Sequence, residues 1–306
     1  MLLGGRELLH GVVPATLAGA LGELPGEIRF SLPLAGRTTI GVGGRADCLI
    51  APQTIDSMVG AIQLCRRHKV RHMLLGAGSN LLFSDQGYRG VLISTERLMG
   101  SVIDGETVNV SCGEPLAALL FAVGRVGVRT LDFLVGIPGR LGGAIAMNAG
   151  IPAQSIGDIV QRVTVLSPRG EVQSIGVEEC RFVYRGSAIR NERLPVLSAQ
   201  LCLSGGTFDR DALLAERRTR QPLAARSAGS TFKNPPGLFA GRLIEEAGLK
   251  GFRVGMAKVS EQHANFIVNL GGAQSAEISE IIDIVRQKVY KRFRILLELE
   301  IEVVDQ

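Results

Sequence analysis

Residues 132–150, DFLVGIPGRLGGAIAMNAG, constrain this chain more than any other stretch, because Gly136, Gly139, Gly142, Gly143 and Gly150 crowd around Pro138 with mostly small or apolar residues between them. Glycines this dense remove the Cβ atoms that hold another body away from the backbone, and they admit positive φ at tight turns. Pro138 fixes its own φ and pushes Ile137 toward an extended conformation, so the loop is stiff rather than a flexible linker. Two readings stay open at this point. A flat ligand could lie against bare peptide groups, or the segment is a glycine-kinked strand and helix junction with no ligand.

The chain has 306 residues, enough for two or three domains with a substantial core. Its 39 glycines follow no collagen period and form no Gly/Ser linker, so the excess belongs to turns and loops with work to do. A net charge of +5 suits anionic ligands such as phosphates or carboxylates. No Lys/Arg stripe interleaved with aromatics accompanies it and Trp is absent, so no nucleic-acid partner is expected. Cys48, Cys65, Cys112, Cys180 and Cys202 lie far apart without a CxxC, which reads as reduced thiols of a cytoplasmic protein and neither disulfides nor a metal site. The opening MLLGGRELLHGVV has charges within its apolar run and no convincing small-residue cleavage site, so it does not read as a secretion signal. No apolar run is long enough to insert in a membrane.

Taken in order, residues 1–28 alternate Leu/Ala clusters with Gly and Pro and suggest one or two short helices. Thr54 suits the N-cap of a helix whose apolar face is Ile55, Met58, Val59 and Ile62, with Arg66 and Arg67 toward its C-terminal dipole. A strand ending at Leu75 runs into Gly76, Ala77, Gly78, Ser79 and Asn80. This is not a dinucleotide fingerprint, since Leu81 stands at the third glycine position and LLFSDQGYRG does not start a helix. It leaves either a Gly/Ser/Asn loop whose N–H groups cradle a pyrophosphate or an ordinary strand-to-strand turn. Further along, Pro115 opens a helix, residues 163–175 form a hairpin, and a long helix over 276–293 is followed by Leu297, Leu299, Ile301 and Val303 alternating with Glu298, Glu300 and Glu302. The last pattern predicts a strand presenting carboxylates on one side.

No serine lies in a GxSxG elbow, and His10, His68, His72 and His263 have no metal-ligand spacing, which removes hydrolase and metalloenzyme readings. Three polar groups remain in segments where a scaffold would not need them. Arg185 in YRGS is a cation able to hold a carboxylate or developing enolate, Ser230 lies in the turn AGSTFKNPP, and Glu300 lies among apolar partners. Each alone could equally be a surface cation, a turn hydroxyl and a solvated carboxylate.

TTIGVGGRA, LLGAGSNLLFSDQGYRGVLI, VSCGEPL, FLVGIPGRLGGAIAMNAG, YRGS, SAGSTFKNP, AGLKGFRVG, HANFIVN and LELEIEV, in that order, resemble the UDP-N-acetylenolpyruvoylglucosamine reductase (MurB) family from about residue 30 onward. The short path from Arg217 to SAGSTFKNP is similar to the shorter type II subgroup, which lacks a long tyrosine-bearing loop. The resemblance implies an α+β fold. A two-lobed FAD-binding domain of the vanillyl-alcohol oxidase type would occupy residues 29–205, after an arm over 1–28, and an α/β substrate domain would occupy 206–306. It implies noncovalent FAD, with the pyrophosphate at Gly76, Ala77, Gly78, Ser79 and Asn80, and Gly43, Gly44, Gly136, Ile137, Pro138, Gly139, Gly142 and Gly143 against the flavin.

The implied reaction uses NADPH to reduce FAD, whose N5 delivers hydride to the β carbon of UDP-N-acetylglucosamine enolpyruvate, yielding UDP-N-acetylmuramate for peptidoglycan. Arg185 and Glu300 match the stabilisers of the enolate, Glu300 as a neutral acid kept so by burial, and Ser230 matches the proton donor to the α carbon. Asn234 and Arg220 match groups that hold the UDP portion. Arg140 departs from the usual Thr or Ser beside the flavin, and Ile151, Pro152 and Ala153 depart from the usual Ala-Tyr-Gly. A flavin oxidase of the same cofactor fold competes, yet such enzymes often tether flavin through His or Cys and no histidine lies in the glycine-rich loops. A nonenzymatic nucleotide-binding module also competes, and the joint presence of Arg185, Ser230 and Glu300 argues against it.

Overall fold

The computed structural model describes residues 13–305, so part of the arm over 1–28 lies outside the described residues. Within that arm the helix Ala15–Gly22 buries Leu17 and Leu21. The chain divides into two compact units. One takes the chain up to Phe30 together with Asp47–Ala77 and Gly90–Leu214; the other takes Ser31–Ala46, Gly78–Arg89 and everything from Ala215 onward. The sequence reading cuts the chain after residue 28 and again after 205, whereas these units interleave along the chain. The reason is apolar burial: Ile40, Val42 and Leu82 join a core with Phe232, Ile244, Ile267, Ile281 and Val285.

Among the described residues the first unit holds two large sheets and a two-stranded hairpin. In the four-stranded one the order is Gly26–Pro33, Arg45–Pro52, Tyr88–Ser94 and His72–Leu75, the last two running parallel with His72 opposite Val91. The helix Ile55–Arg67 begins where its cap predicts. Thr54 Oγ1 accepts from Ser57 N at 3.1 Å, and Met58, Ile62 and Cys65 turn into the core. The five-stranded sheet is ordered Val172–Gly176, Val160–Leu166, Val196–Cys202, Thr107–Ser111 and Ser101–Asp104, and every neighbouring pair is antiparallel. Its first two strands are the hairpin expected from residues 163–175. The helix Leu116–Arg125 starts directly after Pro115, and Leu116, Leu119, Leu120 and Val123 form its buried stripe.

One charge is deeply buried there. Asp132 is 1% exposed and is held by Arg210, at 2.6 and 3.0 Å, and by Arg129 at 3.2 Å, so the carboxylate is paired and hydrogen-bonded as burial demands.

In the second unit an antiparallel sheet runs Arg226–Ser230, Phe266–Asn269, Ala257–Val259 and Arg253–Val254. The helix Ser275–Phe293 lays Ile278, Ile281, Ile282, Val285 and Val289 into the core, the face its sequence periodicity predicts. The closing segment differs from the continuous strand expected over 297–303. Regular pairing covers only Glu302–Val304, parallel to Leu81–Phe83, and Leu299 makes a single bridge to Phe232. Among the described residues no helix is long and apolar enough to cross a membrane.

Candidate active site

Within the first unit, the glycine-rich stretch becomes a buried turn, Asp132–Leu134, then an exposed loop and the short helix Leu141–Ala146. Phe133 and Leu134 anchor it in the core, while Gly136, Pro138 and Gly143 are exposed and Ile137 and Gly139 half-buried. Nothing lies within 4 Å of where a Cβ on Gly143 would sit. Gly142 behaves differently. Its N–H donates to Cys112 O at 2.8 Å and a Cβ there would press on Cys112 at 3.3 Å, so its missing side chain serves protein packing.

The loop after His72–Leu75 presents a similar split. A Cβ on Gly76 would meet only the Cβ of Arg140, at 4.0 Å, and Ala77 beside it is half-buried. In the second unit Gly78 is buried with φ +64°, and any side chain there would overlap the carbonyl of Arg37. Ser79 and Asn80 follow in a turn, both half-buried.

Gly43 and Gly44, expected against the flavin, meet protein where a Cβ would be. For Gly43 this is Phe83 Cβ at 2.9 Å, and Gly44 abuts the backbone of Asp85 and Gly87. Gly44 N also donates to Ser84 O at 2.9 Å, and its own carbonyl accepts from Leu34 N at 2.8 Å. Close approach is required at both positions, and the approaching body on the Cβ side is the chain itself.

Arg185 sits at the tip of a tight turn in the first unit. Val183 and Gly186 exchange backbone hydrogen bonds at 3.0 and 3.2 Å, which puts Arg185 in the left-handed region at φ 55°. A non-glycine residue holds that conformation only when its surroundings over-determine it. They do here, because residues 146–150 grip the turn at successive points. Ser187 Oγ donates to Ala146 O at 2.8 Å, Asn148 Nδ2 to Val183 O at 3.0 Å, and Arg185 Nη2 to Gly150 O at 3.1 Å. Asn148 is itself fixed by accepting from Gly157 N at 2.9 Å. Sequence reasoning gave Asn148 no role. The signal available was an asparagine, which tolerates positive φ, immediately before Ala-Gly, and its φ is 46°. The departing residues Pro152 and Ala153 form the tip of a small hairpin between Gly150–Ile151 and Gln154–Ser155.

Ser230 and Glu300 come together in the second unit. Ser230 is half-buried at the end of its strand, opposite Phe266, with an irregular register since Ser227 and Gly229 at φ 78°. The next two residues are clamped by the buried Asn265, which exchanges side-chain hydrogen bonds with Phe232 N and O at 2.9 and 2.8 Å, while its carbonyl accepts from Thr231 N at 2.8 Å. Asn265 lies in HANFIVN and also escaped the sequence reading. Glu300 N donates to Thr231 O at 2.9 Å, and Asn80 Nδ2 donates to Glu300 O at 3.1 Å. Of the three closing carboxylates, Glu300 is half-buried while Glu298 and Glu302 are exposed. Asn234 uses its Oδ1 to accept from Ala240 N at 3.0 Å, opening the helix Ala240–Glu246, and Arg220 is a surface residue paired with Glu216 at 2.9 Å.

Whether the first unit suits a flavin dinucleotide turns on what its bare backbone faces. Gly143 is uncovered and the Cβ side of Gly76 is close only to Arg140, whose Nε is buried with no hydrogen-bond partner. Backbone uncovered at Gly143 and an unsatisfied cationic donor suit a planar ring with an anionic linker. Among the described residues no group of three or more His, Cys, Asp or Glu could hold a metal ion.

Comparison with known proteins agrees with this geometry. An FAD binding domain matches residues 46–176, and a UDP-N-acetylenolpyruvoylglucosamine reductase C-terminal domain matches 221–304. Phl p 4.0202, a glucose dehydrogenase, shares the fold alone, at 17% identity and TM-score 0.50 over 62% of this chain and 44% of its own. Fold and matched domain together define a flavoprotein with a two-lobed FAD-binding domain of the vanillyl-alcohol oxidase type, followed by a smaller α/β domain.

UDP-N-acetylenolpyruvoylglucosamine reductases from Moorella thermoacetica and Caldicellulosiruptor bescii are 40% and 37% identical, covering 94% and 90% of this chain and 98% and 90% of their own. The crystal structure of the enzyme (MurB) from Thermus caldophilus matches with TM-score 0.74 at 33% identity, over 92% of this chain and 99% of that one. The chain belongs to the UDP-N-acetylenolpyruvoylglucosamine reductase family, a family of oxidoreductases.

Proposed function

We propose that the protein is an NADPH-dependent reductase of UDP-N-acetylglucosamine enolpyruvate, forming UDP-N-acetylmuramate for peptidoglycan in the cytoplasm. What supports this most is the hydrogen-bonded junction in which Glu300 reaches the strand end carrying Ser230 while Asn80, from the proposed pyrophosphate loop, holds the Glu300 carbonyl. In this reading residues 29–205 carry the cofactor and 206–306 the substrate. FAD, when bound, supplies hydride to the β carbon of the enolpyruvyl ether.

The chain's own residues handle the charge that results. Arg185 offers its guanidinium to the carboxylate of the enolate, and its turn is fixed beforehand by the 146–150 segment, so little reorganisation accompanies reaction. Glu300, protonated, donates a hydrogen bond to the same developing charge. Ser230 passes its hydroxyl proton to the α carbon, and the alkoxide left behind recovers a proton from solvent. A serine hydroxyl is a weak acid, and the strong basicity of the enolate is what makes the transfer favourable. Asn234 and Arg220 hold the UDP portion.

The test is anaerobic. Protein loaded with FAD should be yellow, bleach on adding NADPH and recolour on adding UDP-N-acetylglucosamine enolpyruvate. A colourless preparation that takes up no FAD, or a bleached one that the enolpyruvate leaves bleached, overturns the proposal.

A further inference from the structure

Arg140 has no part in the proposed chemistry, and its surroundings are unusual for a cation. Nη1 donates to Gly113 O at 2.5 Å, Nε is buried without a partner, and no carboxylate pairs with the side chain among the described residues. Arg140 as a residue is half-buried, but its buried Nε meets no acceptor and no opposite charge offsets the group, which leaves that donor poorly compensated. Orphaned buried donors are rare enough that each calls for an explanation, a bound ligand among them. The backbone at Arg140 is fixed on both sides. Leu141 N donates to Glu114 O at 2.9 Å, Leu116 N donates to Gly139 O at 3.1 Å, and Arg140 bridges to Pro115. Its Cβ lies 4.0 Å from where a Cβ on Gly76 would be, so the side chain rises beside the first residue of the glycine loop 76–80.

We infer that Arg140 is an anion-binding residue of the cofactor site, presenting the Nε edge of its guanidinium to a phosphate of the FAD pyrophosphate while Gly113 O holds the opposite side. The assignment rests on the flavoprotein reading above. A guanidinium offers two parallel N–H groups along that edge, which match two oxygens of one phosphate group. A flavin ring would present it with a neutral carbonyl instead.

The experiment measures dissociation constants of the apoprotein for FAD, ADP and riboflavin, by flavin fluorescence and by ADP competition, together with the reduction potential of the bound flavin. Arg140→Gln keeps an N–H for Gly113 O and removes the charge; Arg140→Lys keeps the charge and removes the fork. For Arg140→Gln we expect FAD and ADP to bind about 10- to 100-fold more weakly, with riboflavin affinity and flavin potential unchanged. Arg140→Lys should fall between, and the salt dependence of FAD binding should flatten in Arg140→Gln. Unchanged FAD affinity, equal losses for FAD and riboflavin, or a shifted potential at unchanged affinity overturns the assignment while leaving the flavoprotein reading intact. Wild-type protein that binds no FAD overturns both.

Discussion

Asn80 and Glu300, 220 residues apart in sequence, are joined by a hydrogen bond from the Asn80 side-chain amide to the Glu300 carbonyl at 3.1 Å, and two residues on Glu302 N donates to Asn80 O at 2.9 Å. The proposed cofactor loop and the proposed catalytic acid therefore share one rigid junction. Asn80→Ala removes the side-chain donor to the Glu300 carbonyl and leaves the backbone bonds from Glu300 N and Glu302 N in place. Stability should fall by about 1–3 kcal/mol, read from urea unfolding. Turnover should fall at least as far as FAD binding does. A variant with normal turnover and stability would show the bond to be incidental.

Ser230→Ala removes the proposed proton donor and leaves the surrounding hydrogen bonds of Thr231 and Phe232 in place. Stopped-flow measurement should find reduction of bound FAD by NADPH within about twofold of wild type and the substrate half-reaction slowed roughly 10²- to 10⁴-fold. Equal loss in both half-reactions would take Ser230 out of that role. Glu300→Gln, which still donates a neutral hydrogen bond, should retain more activity than Glu300→Ala. The reverse order would show that Glu300 acts ionised.

Two glycines separate the bare backbone that faces open space from the bare backbone that faces protein. Gly143→Ala adds a methyl group where nothing lies within 4 Å and, within a helix, should leave the apoprotein as stable or up to about 1 kcal/mol more stable. Its FAD affinity should drop. Gly44→Ala must displace the backbone of Asp85 and Gly87, and should unfold at distinctly lower temperature with or without FAD. Thermal unfolding of both variants, with and without cofactor, checks the contrast.

Burial pushes the thiols of Cys48, Cys65 and Cys112 up to about 12, and burial pulls His72 and His263 below their usual range. The thiols hold their protons more tightly folded than unfolded, so their contribution is complete below about pH 9 and is lost as pH rises toward 12. The histidines hold theirs less tightly folded, so stability declines as pH falls below about 6.5. The urea midpoint should therefore be highest between about pH 7 and 9 and decline on either side. Native protein at pH 8 should leave these three thiols unreacted with a disulfide reagent, and Cys48→Ala should soften the alkaline decline. Rapid native labelling at pH 8 would contradict their burial.

What the sequence determined alone is what local chemistry carries. Thr54 capped the helix it was expected to cap, Ile278 to Val289 formed the buried stripe that their spacing demanded, Pro115 opened its helix, and the ordered glycine, YRGS and SAGSTFKNP motifs pointed to the family. Tertiary structure alone decided what each of these features faces. Gly43, Gly44 and Gly143 are alike as letters, yet two meet protein and one meets open space. Glu298, Glu300 and Glu302 alternate identically, yet Glu300, whose backbone bonds to Thr231 and Asn80, is half-buried while its neighbours are exposed. Asn148 and Asn265, which clamp the turns carrying Arg185 and Ser230, act through partners 35 and 33 residues away. A missing Cβ or an alternating pattern is a property of a few adjacent residues, whereas burial is set by which distant segment packs there, and only the folded chain contains that choice.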